Sequence, residues 1–244
     1  MKKAIVIILS VAMAAHVYAN STRSVKVKGR HGTGAAYREQ VSPQAGLVRI
    51  EQFPRTGRAS TLPAPQIGGA TSIGNNVYQK ASSRKWIVLE AKYQTFDRWT
   101  DQLNFTWHVM LETKSATEKD NTQKIAPYSY YTVSVSYLNI PRGTHAASVC
   151  LPPACLERFG EPKAIGIVVT NQKGEMVAGD VVSEIKGIKA HPKSIEEAFW
   201  NDKNIMEHQN ENGERTVEQR QGLLDRSKTI WALVNPNDYE QVVQ

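Results

Sequence analysis

Two cysteines in 244 residues are too few for a disulfide-stapled miniprotein. Glycine (16) and proline (11) are too sparse for a collagen. A chain that is 41% hydrophobic is not wholly disordered and can fill one good-sized core. Beyond residue 20 no run approaches the ~18 apolar residues of a membrane span, which excludes a polytopic membrane protein. Complete catalytic signatures are missing as well. There is no G-x-S-x-G, no Walker A and no H-E-x-x-H. Ser82-Ser83-Arg84-Lys85 has the S-x-x-K spacing, but its S-D-N and K-T-G companions are absent. No internal repeat of fixed period is present, and no cofactor is expected.

What is there begins with an export pattern. Lys2 and Lys3 precede the apolar stretch Ala4 to Ala15, and Val17-Tyr18-Ala19 places small residues at −3 and −1. This is the form of a secretory signal peptide over 1–19, cleaved after Ala19, and the run is too short to serve comfortably as a membrane anchor. No cysteine follows that site, which argues against a lipoprotein. The expected location is periplasm, outer surface or medium, with no transmembrane span once the signal is removed. ATP-driven chemistry and nucleic-acid binding are poor expectations there.

The formal net charge of +7 is unevenly spread. Residues 20–60 hold eight bases, among them Arg23, Lys26, Lys28, Arg30 and Arg38, against only Glu39 and Glu51. The remainder, 61–244, is close to neutral, so the basicity belongs to an N-terminal arm. Polar, glycine-containing sequence over 20–46 cannot bury enough surface to offset chain entropy. Pro54, Pro63, Pro65 and Gly68-Gly69 then form a linker signature. The expectation is a flexible basic arm and linker over 20–65, with a short strand at 47–53 whose membership of a sheet stays open. The arm has three readings: a solvated tail, a dock for an anionic envelope polymer or lipid head groups, or a segment ordered by a partner.

From residue 84 the pattern is that of strands. Leu103, Phe105, Trp107, Val109 and Leu111 alternate with Asn104, Thr106 and His108; Tyr131, Val133, Val135 and Tyr137 alternate with Thr132, Ser134 and Ser136. Further strands are expected at 84–93, 144–150, 164–170 and 175–184. The last two flank Asn171-Gln172-Lys173-Gly174, a four-residue hairpin loop. With no interleaved helices, the fold class is mainly β, an antiparallel immunoglobulin-like sandwich over 66–190. After His191-Pro192 the period changes. Ser194 with Glu197 suggests a capping box opening one helix, and Thr216 to Ser227 suggests a second. A helical tail packed on or beside the sandwich is therefore expected over 191–244, with 229–234 open between helix end and strand.

Few residues are candidates for chemistry. In an exported protein Cys150 and Cys155 read as a local disulfide around Leu151-Pro152-Pro153-Ala154. Their spacing does not suit a C-x-x-C redox centre, and with His145 they give only three of the four ligands zinc needs. His108 reads as a solvated histidine on the polar side of its strand. Tyr93-Gln94-Thr95-Phe96-Asp97-Arg98-Trp99 reads as a loop rich in rings, so Tyr93, Phe96 and Trp99 are candidate ligand-binding residues. Glu90, Asp97, Asp101 and Glu112 lie near Trp86, Trp99 and Trp107 in sequence, which leaves paired-carboxylate hydrolysis possible in principle. No catalytic and no metal residue is assigned.

The sandwich pattern, the basic arm, the helical tail and the two local marks, Asn171-Gln172-Lys173-Gly174 and Cys150-Leu151-Pro152-Pro153-Ala154-Cys155, together resemble one small family. It is the secreted immunoglobulin-like protein of the type IV pilus-like locus in Akkermansia-type Verrucomicrobia. Cys150 and Cys155 are too close to be the inter-sheet pair of an antibody domain. A type IV pilin would carry a prepilin site and a long apolar N-terminal helix, and neither is present, so the resemblance implies an accessory role. The function expected is that of a non-enzymatic exported protein in envelope or pilus-associated assembly, with an envelope or pilus-associated protein or an anionic surface polymer as partner. A carbohydrate-binding module is the alternative, and an unrecognised secreted hydrolase the second alternative.

Overall fold

The computed structural model describes residues 47–57, 59–63, 84–113, 126–189, 194–232 and 240–242. The expected signal segment 1–19 and the arm residues Arg23, Lys26, Lys28, Arg30 and Arg38 lie outside them.

Alternating apolar residues produce two very long strands, β3 (Lys85–Glu112) and β4 (Tyr128–Leu151), paired antiparallel along nearly their whole length. β5 (Glu161–Asn171) and β6 (Met176–Ser183) extend the sheet beyond the second half of β3. β1 (Val48–Gln52) and β2 (Ser60–Pro63) pair with its first half. The strand expected at 47–53 therefore joins the sheet as Val48–Gln52, and within the described part of the expected arm and linker Ser60–Pro63 is strand as well. Val48 and Phe53 are buried in the core, which is why this stretch orders. The hairpin between β5 and β6 closes as its sequence implies. Gly174 adopts φ 80, and Asn171 Oδ1 accepts from the backbone N–H of Lys173 and Glu175 at 2.9 and 3.0 Å.

The class expected, mainly β and antiparallel, is the class adopted, with a sheet that is not closed. Its layered core arises differently from an immunoglobulin-like domain, in which strands are divided between two separately paired sheets. Here the described strands form one sheet, folded over at a corner. The strands expected at 84–93 and 103–111 are one strand, and so are those at 131–137 and 144–150. At the corner three residues, Phe96 to Arg98, oppose only Arg142, because the register passes from Thr95↔Gly143 to Trp99↔Pro141. The consequence is visible in the rings. Tyr93 and Phe105 are twelve residues apart on one strand, about 40 Å if it ran straight, yet their centroids are 4.8 Å apart. A bulge of this kind lets one strand serve both layers. Leu89, Ala91 and Tyr93 from one half then pack with Phe105, Trp107 and Val109 from the other in a single main core.

The C-terminal segment departs from the expected helical tail. Among its described residues, helix is confined to a 3₁₀ turn at Ile195–Glu197, to α2 (Lys203–Met206) and to a 3₁₀ turn at Arg226–Lys228. (α1, Pro153–Phe159, is the short helix after β4.) The capping box does not form, since Ser194 makes no side-chain cap bond and Ala198 is already extended. Extension at Ala198 lets Phe199 bury against the outer face of the sheet. The helix expected over 216–227 is replaced by β7 (Val217–Arg220) and β8 (Leu224–Asp225), which pair with β4, as does β9 (Glu240–Val242). Pairing satisfies backbone groups along the edge of β4, and burial of Val217 adds to it. Of the stretch left open at 229–234, residues 229–232 are turn-like, neither helix nor strand, and 233–234 lie outside the described residues.

Candidate interaction site at the sheet corner

The corner is held by polar contacts that its residue types make natural. Thr95 is buried, its Oγ1 donates to the Pro141 carbonyl at 2.8 Å and accepts from the Gly143 N–H at 3.2 Å. His145 Nε2 bonds the same Pro141 carbonyl at 2.7 Å, and its ring lies 5.4 Å from that of Tyr93. Burial pulls the His145 pKa down, partly offset by that carbonyl bond. Asn139 (φ 55) and Gly143 (φ 148) give β4 the backbone freedom to turn with its partner.

The three candidate ligand-binding rings are not brought together. Tyr93 is fully buried, part of the main core and not of a loop. Strand alternation turns it inward alongside Leu89 and Ala91, which the apparent loop composition hid. Phe96 is half-buried beneath the Arg49 guanidinium, 5.8 Å from its ring centre, and Arg49 is held by Gln94 at 2.9 Å and Glu51 at 3.1 Å. Trp99 stands out at 59% exposure. The corner thus exposes one indole among Asp97, Arg98 and Arg142, all exposed.

The expected Cys150–Cys155 disulfide is not formed; both thiols are free. Val149 and Leu151 point into the main core, so Cys150 between them points to the other face of β4, whereas Cys155 packs against that core. Burial pushes the Cys150 thiol up to about 11 and raises that of Cys155 too. At pH 8 the folded protein should therefore react slowly with a thiol reagent, Cys155 ahead of buried Cys150, and yield two equivalents once unfolded. Finding no free thiol after unfolding without reductant would show that the bridge exists.

A second constellation was not legible in the sequence. His108 is buried, not solvated. Its Nδ1 lies 2.7 Å from the Tyr130 hydroxyl, and its ring stacks on Trp200 with centroids 4.1 Å apart and planes within 6°. Burial pulls its pKa down to about 4. Trp200 comes from the C-terminal segment, which covers what the alternation made look like a solvent face. The four carboxylates weighed for hydrolysis, Glu90, Asp97, Asp101 and Glu112, are all exposed. Among the described residues no group of three or more His, Cys, Asp or Glu is placed to hold a metal, and no helix is long and apolar enough to cross a membrane.

These features define a class: a mainly β scaffold with a folded-over sheet and an exposed indole at its corner. Residues 58–244, most of the chain, match a family model for Akkermansia-type pilus-locus proteins, and the chain belongs to that family. A crystal structure of a protein from Akkermansia muciniphila shares the fold with a TM-score of 0.52 at 17% identity, over 84% of this chain and 99% of that one. No curated protein is significantly similar in sequence.

Proposed function

We propose that the protein is an exported, non-catalytic component of envelope or pilus-associated assembly, working through protein or surface-polymer contacts. The observation that carries this reading is membership of a pilus-locus family across residues 58–244. The corner fits it. A rigid double layer displays Trp99 beside Arg98 and Arg142, and exposed aromatic and arginine residues are those that dominate binding energy at interfaces. The basic residues Arg23, Lys26, Lys28, Arg30 and Arg38 offer a second, salt-sensitive contact. A sugar platform of Tyr93, Phe96 and Trp99 receives no such support, because Tyr93 is buried.

Cross-linking in intact native cells, followed by fractionation at low and high salt, tests the proposal. Co-fractionation with an envelope or filament complex is expected, reduced by Trp99→Ala, with release by salt if the basic arm contributes. Recovery as a free monomer under both conditions would sink it.

A further inference from the structure

The segment Ser194 to Met206 is laid over the outer face of the sheet without joining it; among the described residues none of its members pairs with a strand. Its own turns are local: Asn201 N–H to Ala198 at 2.9 Å, Met206 N–H to Asp202 at 2.9 Å, and the Asn201 amide to Ile195 at 3.0 Å. What fixes it to the sheet is apolar packing, in which Ile195 lies against Gly179, Ala198 is buried, and two rings dominate. Phe199 is buried with Met110, Tyr130, Ala164 and Val181 in a second apolar cluster separate from the main core. Trp200 lies over Gly166, so close that a Cβ there would fall 2.0 Å from the indole, and stacks flat on His108. A strap docked through a stacked, buried imidazole depends on that imidazole being neutral.

We propose that residues 194–206 form an acid-released strap: protonation of His108 undocks the segment and uncovers the aromatic face of the sheet beneath it.

The surroundings of His108 give the charged form nothing to pair with. β3 contributes Thr106 and Met110, β4 contributes Tyr130 and Thr132, β5 contributes Gly166, and the strap contributes Phe199 and Trp200. Of these only the Tyr130 phenol titrates, and burial raises it further out of range. The strap itself carries Glu196 and Lys203, both exposed, Glu197 paired with Lys189 at 3.2 Å, and Asp202, which caps α2; Glu112 and Glu161 lie at the exposed strand ends, and Lys163 of β5 pairs with Glu184 at 3.2 Å. Burial alone accounts for the lowered imidazole basicity. The indole face would recover part of the cost of charging by cation–π attraction, but not the lost water.

The direction follows from linkage. A group whose docked pKa is about 4 and whose ordinary value is 6.5 favours docking fully above pH 6.5. Below that, each pH unit multiplies the undocking constant by about ten, levelling off near pH 4 after a total of as much as about 300-fold.

Amide hydrogen exchange of the whole chain between pH 7 and 4 tests this, with amides of 165–169 in β5 as the internal reference. Protection of 194–206 relative to that reference should fall with acid, and His108→Gln should abolish the fall. An equal fall in His108→Gln would overturn the proposal. If that variant does not fold, the wild-type imidazole NMR titration decides. A midpoint near 6.5 with unchanged strap protection would overturn it, and a depressed midpoint tracking loss of protection would support it.

Discussion

Phe105→Ala and Tyr93→Ala will each cost about 3–5 kcal/mol of unfolding free energy, while Trp99→Ala will change it by no more than about 0.5 kcal/mol. All three are aromatic residues of one strand, and two of them lie within the seven-residue stretch that sequence alone makes look like a loop. The difference is where the corner puts them. Tyr93 and Phe105 meet at 4.8 Å across the fold of the sheet, and Phe105 meets Tyr137 edge-on at 5.5 Å, so truncating either opens a cavity between the two layers. Their interaction should also appear as coupling. In a double-mutant cycle the pair should deviate from additivity by about 0.5–1.5 kcal/mol, the range for aromatic contacts beyond area burial. Urea unfolding of the three single variants and the double variant gives every number needed. Equal, small losses for Tyr93→Ala and Trp99→Ala would mean that Tyr93 is exposed and that the sheet does not fold over at residues 96–98.

That contrast shows what the sequence could and could not reveal. The stretch 103–111 was legible because it alternates cleanly as far as Val109 and its inward set, Leu103, Phe105, Trp107, Val109 and Leu111, is fully buried. The hairpin at 171–174 was legible because its turn chemistry is local. The corner was not. Phe96, Asp97 and Arg98 break the alternation in the way a loop does, and only the partner strand reveals that they are a bulge. The 216–227 segment failed for a related reason. Glutamate, glutamine, arginine and leucine favour helix intrinsically, but an unpaired β4 edge offers backbone hydrogen bonds, and tertiary pairing overrode propensity. His108 was misread because alternation tells which face a residue takes, never whether that face is covered by a segment ninety residues on. Spacing in sequence likewise says nothing about which side of a strand each thiol leaves from, which is what separates Cys150 from Cys155 in the structure.

Gly166→Ala is the most direct test of that covering. Glycine in a central strand is ordinarily a weakness, costing roughly 0.5–1 kcal/mol against alanine, so the substitution would stabilise β5 were the outer face open. It will instead destabilise by about 2–3 kcal/mol, the cost of overpacking a filled site. The added methyl would sit 2.0 Å from Cζ3 and 2.6 Å from Cη2 of Trp200. Because Trp200 stacks on His108 and meets Phe199 edge-on at 5.0 Å, the indole cannot shift without disturbing both. The sign should reverse in the Trp200→Ala background. There the methyl enters vacated space, and alanine should be neutral or stabilising by a few tenths of a kcal/mol. Reversal on removing one named ring separates a steric block from a backbone requirement, since Gly166 does not have the positive φ that glycine alone tolerates. If Gly166→Ala costs the same in both backgrounds, the indole does not lie over β5, and the docking of the 194–206 segment on the sheet falls with it.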